Sequence, residues 1–151
     1  MYSASIEIPA SPSRVFTVLT DPGLLKQWTP EVADAEVKPP EGGLRVGAIA
    51  QAFVKEFGRR FSVELVVVAL EPAARLAYHI TTPMWSGRAD YVLTQRHGGT
   101  DLSLLFVPDQ PKVNGGARLI VRAMAVLARP LVQRKLRSRL AALRRVVEAN
   151  G

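Results

Sequence analysis

The last thirty-odd residues carry apolar side chains at helical spacing, first Ile120, Met124, Leu127 and Leu131, then Leu136, Leu140, Leu143 and Val147. Each set follows an i, i+4, i+7, i+11 pattern, which marks one face of a helix. A helix of this kind is stable only when that face is covered, so the rest of the chain has to supply a complementary apolar surface. The other face is wet. Nine Lys or Arg residues lie between Arg118 and Arg145, and Glu148 is the only acid after Arg118, so this stretch accounts for the formal +7 of the chain.

The preceding residues read mostly as strands. Ser5-Ile6-Glu7-Ile8 alternates polar with apolar, as a half-buried strand does. Ser11-Pro12 and Asp21-Pro22 are helix-start signals, because the first side chain can accept an orphan amide bond and proline suits the first helical position. They predict two short helices, the first packing Val15, Phe16 and Leu19, the second leading to Trp28. After Pro30 the pattern predicts strands over Val32–Lys38, Ala48–Phe57, Arg60–Glu71, Arg75–Thr81, Trp85–Gln95 and Asp101–Pro108. Glu41-Gly42-Gly43, Phe57-Gly58-Arg59, Glu71-Pro72-Ala73 and His97-Gly98-Gly99 supply glycine or proline for tight reversals between them. The expected fold class is α+β, a curved antiparallel sheet of seven strands in the order β-α-α-β6-α, wrapped around the long C-terminal helix. Pro130 removes one helical hydrogen bond between the two apolar sets, which predicts a kink or break there.

With 151 residues the chain fits one domain, residues 1–151, and no internal repeat or linker divides it. The absence of cysteine excludes disulfides, a thiolate metal site and a cysteine nucleophile together. Nothing at the amino terminus resembles a secretory signal, and the longest apolar run, Leu65–Leu70, is too short to span a bilayer as a helix. A soluble cytoplasmic protein is expected.

Ile6-Glu7-Ile8-Pro9-Ala10-Ser11-Pro12 running into Val15-Phe16, then Leu19-Thr20-Asp21-Pro22, Trp28, Val46-Gly47, Gly98-Gly99-Thr100, Leu140-Ala141-Ala142-Leu143 and Val147-Glu148 occur here in an order and spacing that resemble one family. The chain is similar to the SRPBCC superfamily with its START-like helix-grip fold, in particular the polyketide cyclase/dehydrase and lipid-transport branch. The resemblance covers almost the whole chain. It implies a deep apolar cavity between sheet and helix that takes a hydrophobic small molecule such as a lipid, polyketide or aromatic compound. No catalytic residue carries over by motif.

Searching the residues themselves for chemistry yields little. His79 and His97, the only histidines, have no carboxylate at metal-ligand spacing, and His79 lies in the strand phase opposite to Leu76, Tyr78 and Ile80. There is no GxSxG elbow and no phosphate loop, so neither a metal nor a cofactor is assigned. In the strand from Trp85, Ala89, Tyr91 and Leu93 share the phase of Trp85, while Arg88 and Asp90 take the other. Alternation thus places the aromatics inward. A buried phenol combines a large apolar surface with one donor or acceptor, which makes Tyr78 and Tyr91 the first polar candidates for orienting a ligand, with a core tyrosine bonded to backbone as the alternative. Trp28, Phe53, Phe61, Trp85 and Phe106 complete an aromatic set, and Met124 and Leu127 are placed on the helix facing the sheet. For each of these, core packing is the competing role.

Three functions remain open. The first is a carrier or sensor of a hydrophobic small molecule; the second is a cyclase- or dehydratase-like enzyme that acts by positioning, with Tyr78, Tyr91 or Arg88 polarising a carbonyl. In the third, Arg134, Lys135, Arg137 and Arg139 dock the helix onto an anionic membrane. Nucleic acid is disfavoured as a partner because no aromatics interleave with these arginines.

Overall fold

The structure, a computed structural model, describes residues 1–29, 42–56, 58–83, 85–109 and 115–150. It opens with strand β1 (Tyr2–Ile8), followed by the short helices α1 (Pro12–Thr20) and α2 (Leu25–Trp28). Ser11 caps α1 by accepting from the Arg14 amide at 3.4 Å, with proline at the first helical position. The strands β2 (Ile49–Glu56), β3 (Arg59–Glu71), β4 (Arg75–Thr81), β5 (Ser86–Arg96) and β6 (Gly99–Pro108) follow, and then α3 (Gly116–Ala149). Six strands are described where seven are predicted. The predicted strand over Val32–Lys38 lies outside the described residues.

All neighbouring strands are antiparallel in the order β1-β6-β5-β4-β3-β2. From β2 to β6 the chain meanders, and β1 closes the far edge by pairing Ile8 with Thr100 and Tyr2 with Phe106. Gly99 permits this closure: a Cβ there would run into the backbone carbonyl of Ile8. Thr100, fully buried beside it, donates its hydroxyl to the Ala10 carbonyl at 2.7 Å and so ties the exit of β1 to the start of β6. Alternation then sends one side chain of every two to the inner face. Cross-strand rows on that face run Ile6–Leu102–Leu93, Leu104–Tyr91–Leu76 and Phe106–Ala89–Tyr78–Val67.

Helix α3 runs without interruption through Pro130. Its second half behaves as the spacing predicts, with Leu136, Leu140, Leu143 and Val147 buried in the core. Its first half does not. Ile120, Met124, Leu127 and Leu131 are 63–80 % exposed. The cause is helical arithmetic. The two predicted stripes are separated by five residues, from Leu131 to Leu136, a step of about 140° that only a break at Pro130 could absorb. Because the helix continues, the buried stripe extends backwards from Leu136 to Val132, Ala128 and Val121, which are half-buried. The Tyr2 hydroxyl donates to the Ala125 carbonyl on that same side, at 3.5 Å. Gly115 lets the chain enter the helix with φ +68°, a conformation that side chains with a Cβ rarely adopt.

Two substitutions test this packing. Gly99→Ala is expected to lower the melting temperature by several degrees, because the β1–β6 pair must separate to admit the methyl group. Pro130→Ala is expected to raise it, since Pro130 is exposed and a helix-interior proline costs up to about 3 kcal/mol relative to alanine. A fall in melting temperature for Pro130→Ala would show that α3 needs a proline bend to fit the sheet.

Candidate ligand-binding site

The helices cover only part of the inner face. α3 lies along β1 and touches β6, α1 sits over β5 and β6, and α2 packs against α3. Val67 on β3 and Leu76 on β4 still belong to the core that contains Val15, Trp28, Leu136 and Leu140. Burial changes along β4, from Leu76, which is fully enclosed, to Tyr78 and Ile80, which are half-buried. Leu65, paired with Ile80, and Phe61 are half-buried on the same face of β3. One end of the inner face is therefore a solid core of Ile8, Val15, Leu76 and Leu102, and the other end opens towards Ile80 and Phe106. On β2 this face carries Ala50 and Ala52, side chains that fill little volume.

Two phenols and an indole meet at the boundary between closed and open regions. Tyr91 is buried in the row Leu104–Tyr91–Leu76, with the ring of Trp28 edge-on to it at 6.3 Å. Trp28 is buried as well, and its Nε1 donor has no hydrogen-bond acceptor among the described residues. Tyr78 lies between Ala89 and Val67, so small and branched neighbours flank its ring. Burial, with a smaller contribution from Tyr91, pushes the Tyr78 phenol well above its usual range. It is therefore a neutral hydroxyl at any physiological pH, and it has no hydrogen-bond partner among the described residues.

The remaining predicted site residues divide between inside and outside. Phe61 and Phe106 are on the inner face; Phe106 stacks on Tyr2 at 6.3 Å and meets Trp85 edge-on at 5.5 Å. Trp85 stands just before β5, 42 % exposed, at the open end. Gly87 makes room there, because a Cβ would lie 2.9 Å from the Phe106 ring. Phe53 is a correction. It pairs with Ser62 in the phase opposite to Ala50 and Ala52, so it lies on the outer face with the Arg60 guanidinium 5.0 Å from its ring. Met124 and Leu127 are also corrected: the uninterrupted register of α3 turns them away from the sheet. Leu65, Ile80 and Gly87 escape a search for aromatic and polar groups, although the alternation that places Tyr78 inward places Ile80 there too.

The outer face takes the charges. Arg75 binds Asp90 through two hydrogen bonds, Nε to Oδ1 at 3.0 Å and Nη2 to Oδ2 at 2.7 Å, and Arg88 approaches the same carboxylate at 3.5 Å. Arg88 is thus an outer-face residue, as alternation predicts, and not a group that could polarise a bound carbonyl. Asp109 accepts a 2.6 Å hydrogen bond from the Ser86 hydroxyl, and His79 Nε2 lies 2.8 Å from the same oxygen. Serine and histidine both face the carboxylate, so the imidazole is not placed to take a proton from the serine. Among the described residues, no three His, Asp or Glu side chains group in a way that could hold a metal ion. No helix among them is long and apolar enough to cross a membrane.

Compared with models of protein families, residues 2–148 match the family described as polyketide cyclase / dehydrase and lipid transport. The chain belongs to this family. Its SRPBCC-type, helix-grip fold is shared with solved structures of low sequence identity. A protein from Nitrosomonas europaea is 18 % identical with a TM-score of 0.68, over 98 % of this chain and 94 % of the other. Ara h 8.0201 is 14 % identical with a TM-score of 0.67, over 97 % and 96 %. DynU16, a protein of the dynemicin biosynthetic locus, is 18 % identical with a TM-score of 0.66 over 99 % of this chain, which spans 47 % of DynU16. At these identities the likeness shows the fold. No curated protein matches the chain.

Removing the outer-face ion pair has a defined pH signature. Hydrogen bonding from Arg75, followed by its charge, holds the Asp90 carboxyl below the usual carboxylate range despite partial burial. A depressed carboxylate stabilises the fold above its unfolded pKa, and that contribution disappears as the pH falls through the folded value. Asp90→Asn is therefore expected to melt a few degrees below wild type at pH 7, with the difference shrinking as the pH falls through and below the usual carboxylate range. A gap in melting temperature that is independent of pH would contradict this.

Proposed function

We propose that this family member binds a hydrophobic small molecule against the inner face of β3 and β4, as a carrier or sensor without covalent chemistry. The observation that carries the reading is Tyr78: a neutral phenol, half-buried in an apolar wall, with no partner for its hydroxyl among the described residues. A ligand that fits is largely apolar and presents one oxygen for the phenol to bond. The unsatisfied Trp28 Nε1 is a second donor behind it, beside Tyr91. Leu65, Ile80, Phe61 and Phe106 supply the apolar contacts, with Trp85 at the open end. Membership of a family described by both cyclase/dehydrase and lipid-transport activities is compatible with this ligand class.

Among the described residues, the same geometry disfavours the enzymatic alternative. Enolisation, aldol cyclisation and dehydration need a base near neutral pH, and a phenol raised above its usual range remains protonated. Asp90, Asp109, His79 and Arg88 are occupied with one another on the outer face.

The chain contains two tryptophans, so a Trp85→Phe background leaves Trp28 as the reporter. Titration with a hydroxyanthraquinone, an apolar aromatic ketone, is expected to quench Trp28 saturably, with the compound recovered unchanged. Adding Tyr78→Phe should weaken binding about 5- to 10-fold, the loss of one hydrogen bond worth roughly 1 to 1.5 kcal/mol. Absence of saturable quenching across aromatic ketones and fatty acyl probes would overturn the binding reading. Chemical conversion of the ketone would overturn the carrier reading.

A further inference from the structure

The first half of α3 presents an apolar surface that the fold does not use. Leu119, Ile120, Met124, Val126, Leu127 and Leu131 are each 63–80 % exposed, over about 18 Å of helix. At 100° per residue they span an arc of roughly 160°. Its centre lies opposite the side that Val121, Ala128 and Val132 turn towards the sheet. Single exposed apolar residues are ordinary, but a contiguous arc of six on one helix marks an interaction surface.

The surrounding charge identifies the occupant. No Asp or Glu occurs between Asp109 and Glu148, while Arg118, Arg122 and Arg129 are exposed along the same half of the helix. Arg134 and Lys135 stand three and four residues beyond Leu131, so they continue the apolar stripe as a basic one. An apolar arc with a cationic continuation is what a helix lying in a membrane interface requires. A second copy of the chain would fit poorly. Symmetric pairing of these helices would set two strongly cationic stretches against each other, whereas anionic headgroups neutralise them.

We propose that the first half of α3 docks this protein onto anionic lipid bilayers by shallow insertion of Leu119, Ile120, Met124, Val126, Leu127 and Leu131, with Arg134 and Lys135 among the headgroups. The basic segment from Arg134 to Arg139 is then the flank of the docking surface and not its centre; Arg139 is half-buried. Docking of this kind is independent of whether the inner face takes a ligand.

Co-sedimentation of the full chain with vesicles provides the test. Vesicles of phosphatidylcholine with about 30 % phosphatidylglycerol are expected to pellet the protein, and phosphatidylcholine alone at least 10-fold less, with the difference reduced by 0.5 M salt. Leu119→Glu/Val126→Glu is expected to abolish pelleting while keeping the wild-type melting temperature and the Trp28 quenching by hydroxyanthraquinone, because both residues lie outside the inner face. Arg134→Glu/Lys135→Glu should reduce pelleting by about 10-fold. Wild-type protein that pellets with neither vesicle, or a Leu119→Glu/Val126→Glu variant that pellets like wild type, would overturn the proposal. So would a wild-type dimer in analytical ultracentrifugation that the same variant converts to a monomer, since the apolar arc would then be covered by a second copy.

Discussion

A six-stranded antiparallel sheet has an apolar face wider than one helix can cover. Strands are spaced by about 4.8 Å, so the sheet is roughly 24 Å across, whereas a helix with its side chains is about 10 to 12 Å in diameter. α3 lies along β1 and touches β6, and α1 adds cover over β5 and β6. This mismatch of widths organises the rest. Leu76, Leu102, Leu104 and Leu143 form a closed core that Val67 of β3 joins, whereas Tyr78, Ile80 and Leu65 are half-buried.

The separation of charge from the inner face follows from alternation. Because side chains on a strand point alternately to opposite faces, the row containing Tyr78, Ala89 and Phe106 is apolar, while the neighbouring row containing His79 and Arg88 faces outward. The ion pairs at Asp90 and Asp109 consequently lie outside, and among the described residues the inner wall carries the Tyr78 hydroxyl and the Trp28 indole donor. In the proposed reading these two groups would orient an oxygen of the ligand.

Much of this is legible in the residues themselves. Period-two alternation with Gly or Pro turns located β4 to the residue and β3, β5 and β6 within two, and the Ser11-Pro12 start located α1. Tyr78 and Tyr91 face inward for the same reason. Where sequence and structure part, the reason is also physical. Aromatic character alone points to Phe53, but the strand phase buries its neighbours Ala50 and Ala52. The helical stripe of Met124 and Leu127 is offset by five residues from Leu136 and would need a break at Pro130, whereas an exposed proline with fixed φ fits inside this continuous helix. The pairing of His79 and Ser86 with Asp109 depends on where the end of β6 lies beside β5, which local pattern does not encode.

Whether the inner face of β3 and β4 is a binding wall or merely a loosely covered core decides the function. Methyl-resolved NMR of the full chain, titrated with a hydroxyanthraquinone, addresses this residue by residue. Saturable shifts are predicted at the methyl groups of Ile80, Leu65 and Val67, with those of Leu119, Val126 and Leu127 unmoved. Shifts confined to the exposed arc of α3, or none at Ile80 and Leu65 while the compound binds, would contradict a binding wall there.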